Sequence, residues 1–423
     1  MKVLVIGAGA REHALVSALT TDPVVDAVIA APGNPGMAAV ALCEPVEPTD
    51  PRAVTELARR HDVDLVVIGP EAPLVAGVAD AVRDAGIACY GPSAAAARLE
   101  GSKSFAKEVM AAAEVPTGMG RLCTSLEEVA EALDIFGAPH VVKDDGLAAG
   151  KGVVVTSDRD EALAHAEACL AKDGGSVVIE EFLDGPEVSL FAVCDGTSVV
   201  ALMPAQDFKR VFDGDHGPNT GGMGAYSPLP WADPGLVQEV VDRVAQPTVT
   251  QMAHRGTPFV GTLFIGLAIT SRGPRVIEFN ARFGDPESQV VLARLRSPLG
   301  QLLHAAATGA LADHPDLRWS DEAAVTVVIA AEGYPGTPRS GDVIEGLADV
   351  EEVPGAYVLH AGTSAGEDGT VVSSGGRVLS VVATGEDLAQ ARERVYAAVE
   401  RITLKGSHHR TDIARGAVDG ELG

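Results

Sequence analysis

The rhythm of the first hundred residues limits most strongly how this chain can fold. Short apolar runs at 3–6, 27–31, 65–68 and 88–90 alternate with helical stretches, among them 51–61 and 72–85. Apolar strands between amphipathic helices imply a parallel sheet covered on both faces, a doubly wound arrangement. Ligands of such sheets gather at the carboxyl ends of the strands, here 7–12, 32–36, 69–73 and 91–93. At 423 residues the chain exceeds what one core supports, so further domains are expected. A helix is predicted over 102–113, closed by Pro116. Residues 122–187 read as a compact inserted α+β unit, with helices at 125–136 and 159–170 and strands at 140–143, 153–156 and 176–182. Strands then surround a polar, glycine-rich loop at 206–226. From 319 to 401 a separate α+β module is predicted: strands 323–331, 357–361 and 377–383, a hairpin-like 370–374 and a helix at 387–400.

Charge narrows the function. The net charge of −27, from 32 basic and 59 acidic side chains, opposes non-specific attachment to nucleic acid or anionic membranes. A small anionic substrate remains compatible, provided its site gathers Lys and Arg locally. Cys43, Cys89, Cys123, Cys169 and Cys194 form no C-x-x-C pair, which argues against a zinc site or a secreted disulfide framework. Arg11-Glu12 follows the first apolar run too soon for a secretory leader. No apolar run approaches the roughly 20 residues of a membrane span. A cytoplasmic protein is expected.

The segment 276–284 carries the chemistry. Strand alternation puts Glu278, Asn280 and Arg282 on one side and Ile277, Phe279 and Ala281 on the other. A carboxylate, a carboxamide oxygen and a guanidinium side by side suit a hard cation meeting phosphate oxygens. A half-exposed edge strand with a surface salt bridge is the bland alternative.

Other segments gather around this one. Gly7-Ala8-Gly9-Ala10-Arg11-Glu12 resembles a dinucleotide turn, but Glu12 stands where the fingerprint needs glycine. Arg11 at a helix start suits a phosphate monoester; a solvated arginine beside an ordinary turn is the alternative. Glu71 lies at another strand's carboxyl end, placed for sugar hydroxyls or for a structural helix start. Lys143, followed by a loop with Gly146, Gly150, Lys151 and Gly152, has the makings of a flap over phosphates. It is not a P-loop, because a strand rather than a helix follows. Glu180-Glu181-Phe182-Leu183, crossing Gly185 to Glu187, reads as a hinge offering backbone groups to a purine and Glu187 to a ribose. The 206–226 loop carries Asp207, Lys209 and Arg210, and long irregular loops in compact domains are usually functional. His408-His409 reads as solvated tail rather than metal ligand.

Taken in order, these segments, with Ala31-Pro32-Gly33-Asn34, Gly101-Ser102-Lys103, Asn219-Thr220-Gly221-Gly222-Met223-Gly224 and Phe283-Gly284-Asp285-Pro286-Glu287, resemble the glycinamide ribonucleotide synthetases. These are phosphoribosylamine–glycine ligases of purine synthesis within the ATP-grasp superfamily. The resemblance runs from Met1 to about Ala417. It implies an N-terminal substrate-binding domain at 1–101, a central ATP-grasp domain at 102–121 and 188–318, a lid at 122–187 and a small C-terminal α+β domain at 319–423. It further implies ATP bound by Lys103, Lys143, Gly150, Lys151, Gly152, Glu180, Phe182, Leu183 and Glu187, and Mg²⁺ or Mn²⁺ held by Glu278 and Asn280. Arg11, Asn34 and Glu71 would face 5-phosphoribosylamine. Asp207, Lys209, Arg210, Arg282 and Asp285 would organise glycine, its acyl phosphate and the incoming amine. A monomer without nucleic-acid or membrane partners is implied. Departures from the pattern include Ala10, Phe208, Ala281, Ala414 and Asp144, the last expected to add negative charge near phosphate. Competing readings are another ATP-grasp carboxylate–amine ligase, a nicotinamide oxidoreductase and a non-catalytic nucleotide sensor.

Overall fold

The computed structural model describes residues 1–146 and 152–421. The N-terminal sheet has five parallel strands in the spatial order Leu42–Cys43, Ala27–Pro32, Lys2–Gly7, Leu65–Ile68, Ala88–Tyr90. Its central strand is buried from Val3 to Ile6, with Leu4 and Ile6 in one core and Val3 and Val5 in another. That two-sided burial explains why the runs are continuously apolar rather than alternating. The order reverses at Lys2–Gly7, so the crevice lies between Gly7–Glu12 and Gly69–Glu71.

The predicted helix at 72–85 is two short helices, Glu71–Val75 and Val78–Asp84. Gly77 breaks it, adopting φ 83°, a left-handed conformation that glycine reaches without a Cβ clash. The lid sheet is antiparallel, ordered Gly120–Cys123, Val177–Glu180, His140–Asp144, Val153–Thr156. Helices Leu126–Phe136 and Arg159–Leu170 share a small core of their own with it.

The central sheet is ordered Val199–Ala201, Glu187–Asp195, Val260–Thr270, Gly273–Asn280 and is also antiparallel. Its last pairing contains a bulge: Leu267 faces Val276 and Gly266 faces Glu278, leaving Ile277 as the extra residue. Such a bulge re-aims side chains next to it. Phe279 and Ala281 are buried as alternation predicts. Ile277 does not join them; it is only half-buried, as are Glu278 and Asn280. Arg282 lies beyond the strand's end.

The main sheet of the residues after 319 is not built from them alone. Ala323–Ala330, Arg377–Gly385 and Ala356–His360 extend an antiparallel sheet that begins with Gln206–Asp207 and Gly224–Ser227. The expected hairpin segment is present as Val371–Ser373 paired with Thr363–Ala365. Among the described residues no helix is long and apolar enough to cross a membrane.

Candidate active site

Three lysines converge from two elements. Lys103 and Lys107 lie one turn apart on helix Lys103–Ala112, and Lys143 sits near the end of strand His140–Asp144. Lys143 Nζ donates to the Ile277 carbonyl (2.8 Å) and pairs with Glu180 (3.0 Å). Lys107 Nζ donates to Thr117 Oγ1 (3.0 Å) and the Gly118 carbonyl (2.7 Å) and approaches the same Glu180 carboxylate at 3.3 Å. Lys103 Nζ donates to the Gly146 carbonyl (3.0 Å). Burial pulls the ammonium pKa of Lys103 and Lys107 down, against Glu278 and Glu180 respectively. Glu278 and Asn280 line the cavity beside these lysines. The cavity is narrow, about 40 Å³, against roughly 300–1,000 Å³ for small-molecule sites.

Several predicted site residues have partners within the protein or lie at its surface. Glu180 is buried and spent on two lysines. Phe182 is exposed, Leu183 half-buried, and Glu187 is exposed and paired with Lys209. Gly150 and Lys151 lie outside the described residues; the Gly152 carbonyl accepts the Asp144 N–H at 2.8 Å. Asp144, expected to disturb phosphate, is ion-paired with Lys172, which neutralises its charge. Asp145 anchors the lid to the lysine helix by accepting from the Ser104 N–H (3.1 Å), Ser104 Oγ (2.6 Å) and Ser102 Oγ (3.2 Å). Among the described residues no group of three His, Cys, Asp or Glu could hold a metal ion. Glu278 with Asn280 is an oxygen-donor pair, the kind that holds Mg²⁺ when phosphates complete the shell.

A second cluster lies on the 206–226 loop. Lys209 Nζ contacts Glu187 and also Asp207 (3.2 Å). Burial disfavours the Lys209 ammonium, but Asp207 and Glu187 outweigh it and hold the pKa well above the ordinary lysine range. Burial raises the Asp207 carboxyl, with Lys209 opposing. It lifts Glu287, which accepts from Ser189 Oγ at 3.2 Å, to about 7, and the Asp207 charge adds to the rise. Arg210 donates to the Gly217 carbonyl (2.7 Å).

The third cluster fills the N-terminal crevice. Glu12 accepts from the Gly9 N–H (2.7 Å) and Arg11 Nε (2.5 Å). A Cβ on Gly7 would stand 2.5 Å from Glu12 Cγ, so the glycines make room for this carboxylate rather than for a pyrophosphate. The oxidoreductase reading fails on that geometry. Arg11 is buried and also donates to the Phe283 carbonyl (3.1 Å), so it is not a solvated side chain. Arg282 joins Glu71 (3.5 Å) to Glu100 (3.0 Å), and Glu100 accepts the Ala281 N–H (2.7 Å). Burial opposes ionisation of Glu71, but Arg282 and Arg11 outweigh it and depress its pKa. Asn34 donates to the Ala8 and His360 carbonyls (both 2.9 Å) and its Oδ1 caps the Met37 N–H (2.9 Å). Both of its amide hydrogens are therefore committed within the protein, where the resemblance implies a side chain facing 5-phosphoribosylamine. Asp285 is held by Arg377 (3.2 Å) and Gln289 (2.8 Å).

Reading the sequence missed Lys107, Glu100, Glu287 and Arg377. The helical spacing of Lys107 from Lys103 was a usable signal; Arg377 lies 92 residues from Asp285 and offered none.

Three family models cover most of the chain. That described as the phosphoribosylglycinamide synthetase N domain matches residues 1–100, the ATP-grasp (A) domain 101–288 and the C domain 324–416. The chain is 68% identical over 419 residues to a phosphoribosylamine–glycine ligase of Streptomyces coelicolor, covering 99% of each chain. It is 58% identical over 427 residues to the same-named protein of Mycobacterium bovis, covering 100% of both. A crystal structure of phosphoribosylamine–glycine ligase from Thermotoga maritima superposes with a TM-score of 0.84 at 31% identity, covering 98% of this chain and 100% of that one.

Proposed function

The chain belongs to the phosphoribosylglycinamide synthetase family, and from that premise we propose how its three charged clusters divide the work. The reaction joins glycine to 5-phosphoribosylamine at the expense of ATP. It gives glycinamide ribonucleotide, ADP and phosphate in purine biosynthesis, through a glycyl phosphate. The observation that carries the assignment of parts is the cleft in which Lys103, Lys107 and Lys143 face Glu278 and Asn280. Cations for phosphate oxygens and two oxygen donors for a divalent ion meet there in a chain whose overall charge is −27.

ATP binds in this cleft, with Lys103 and Lys143 on its phosphates, the 180–183 segment along its adenine and Glu187 near its ribose. Lys143 and Lys107 now close on Glu180, so the nucleotide exchanges these ion pairs for its own as it enters. The flap residues Gly150, Lys151 and Gly152 complete the phosphate site. Glu278 and Asn280 hold Mg²⁺ or Mn²⁺, which when bound neutralises charge on the phosphates. Lys209, Arg210 and Arg282 keep the glycine carboxylate, an anion, in line with the terminal phosphoryl group. After phosphoryl transfer, the amine of phosphoribosylamine attacks the acyl carbon and phosphate departs. Asp207 and Asp285 flank the path of that amine. Arg11 and Glu71 face the phosphoribosyl group, and Asn34 positions their loop. A monomer in the cytoplasm, without nucleic-acid or membrane partners, is the setting we propose.

The test is an ADP-release assay with substrates omitted one at a time and the product weighed by mass spectrometry. Release requires both glycine and the amine, and Glu278→Ala abolishes it while the circular dichroism spectrum stays unchanged. Near-normal turnover by Glu278→Ala at limiting Mg²⁺ removes the metal assignment.

A further inference from the structure

The C-terminal part of the chain supplies one side chain that grips two active-site loops at once. Arg377 opens strand Arg377–Gly385. Its Nη1 donates to the carbonyls of Gly221 (2.6 Å), Asp285 (2.7 Å) and Gly222 (3.3 Å), and its Nη2 pairs with the Asp285 carboxylate (3.2 Å). The fit is close: a Cβ on Gly221 would come within 2.8 Å of Arg377 Cζ. Gly222 adopts φ 111° against Pro286, where no other residue sits without strain.

Each grip leads to a functional group. On one side, Thr220 N–H and Oγ1 both donate to the Lys209 carbonyl (2.7 and 2.8 Å), and the Met223 N–H donates to the Phe208 carbonyl (2.8 Å). The loop's return limb thereby fixes the backbone that carries Asp207 and Lys209. On the other side, Asp285 precedes helix Glu287–Arg294 and is bonded to its Gln289. Its position sets where Glu287 meets Ser189 and Asp207. The lysine cleft is held by separate bonds, Lys143 to Ile277 and Lys107 to Gly118.

We propose that Arg377 is a positioning residue for the glycine and amine half of the active site, clamping the 219–224 loop to the 284–287 segment without touching substrate. This rests on the ligase reading above. The planar fork is what the task requires: four acceptors in two directions suit a guanidinium, whereas the compact ammonium of lysine cannot span them.

The experiment compares Arg377→Ala and Arg377→Lys with the wild-type chain in steady-state ligase assays and in hydrogen exchange read by mass spectrometry. Displacement of a reacting group by about 1 Å costs on the order of 100-fold. Arg377→Ala is therefore expected to lose about 100-fold in kcat/KM for glycine and Arg377→Lys about tenfold, while KM for ATP stays within about twofold. Exchange at 219–224 and 284–287 accelerates in both, with that at 276–280 unchanged. A purely stabilising arginine instead lowers thermal stability and scales every kinetic constant through the folded fraction; that pattern, or wild-type kinetics in Arg377→Lys, overturns the proposal. Should Arg377→Ala fail to fold, Arg377→Lys alone decides. A wild-type chain that forms no glycinamide ribonucleotide rejects the ligase reading, whereas unchanged exchange in the two loops rejects the clamp independently.

Discussion

Glu287 is a buried carboxyl whose burial and neighbouring Asp207 lift it from 4.5 to about 7. Its folded pKa exceeds its unfolded one, so its contribution to stability is complete below about pH 4.5 and is lost as pH rises through about 7. Above that window the fold contains a costly buried anion. Glu287→Gln keeps an acceptor for Ser189 and removes the charge. It should gain about 1–3 kcal/mol at pH 8 and close to nothing at pH 4.5, at one pKa unit per about 1.4 kcal/mol. Urea unfolding at the two pH values measures this; an equal difference at both disproves it. The gathering of charged residues was legible where they stood in patterned segments: Lys143 and Glu278 line one cleft, and Lys209 meets Asp207. Glu287 stood inside a quoted motif, yet its role comes from burial, which no local pattern reveals. Lys107 was readable by helical spacing, and Arg377 acts at a distance the chain does not encode locally.

Between elements, the junctions matter more than the elements themselves. Gly185 joins the lid strand Val177–Glu180 to the central strand Glu187–Asp195 at φ 96°, and a Cβ there would collide with the Ile269 carbonyl oxygen. The Ile269 N–H is bonded to the Pro186 carbonyl at 2.9 Å, so that backbone cannot simply retreat. Gly185→Ala should therefore cost at least about 2 kcal/mol, combining left-handed strain with lost backbone bonding. A thermal melt tests this; a midpoint within about 1 °C of wild type would show that the junction is pliant. Here the sequence was informative, since Gly185 falls inside the segment read as a hinge. The parallel strands and the inserted unit were likewise visible from periodicity. Three features were not. The bulge at Ile277 depends on the partner strand's register. The break at Gly77 was masked by apolar spacing that continues through it. The sheet shared between 206–227 and the later strands is a long-range pairing that no local window contains.

At the scale of the whole molecule, the N-terminal unit and the last sheet meet through two histidines. The His360 N–H donates to His13 Nδ1 (2.8 Å), the rings lie 5.7 Å apart, and Asn34 bonds the His360 carbonyl. Burial lowers His13 to about 3, with His360 contributing, and lowers His360 to about 4. The donated N–H needs an unprotonated His13 Nδ1, so the contact and the neutral form require each other. Both folded values lie below the ordinary 6.5. The unfolded chain therefore binds protons first, and stability present above pH 6.5 drains away as pH falls toward 4. Each histidine contributes up to about 1.4 kcal/mol per pH unit in that window. His13→Gln offers a neutral acceptor but no titrating ring, so its stability between pH 6.5 and 5 should depend on pH less steeply than wild type by about one proton. Denaturant titrations at several pH values give that slope, and an unchanged slope rejects the assignment. Asn34 connects the contact to the crevice, because its other amide hydrogen is bonded to Ala8 beside Arg11. Acid that opens the histidine contact should therefore loosen the crevice around Asn34 and Arg11 before the lysine cleft, which is held by other bonds.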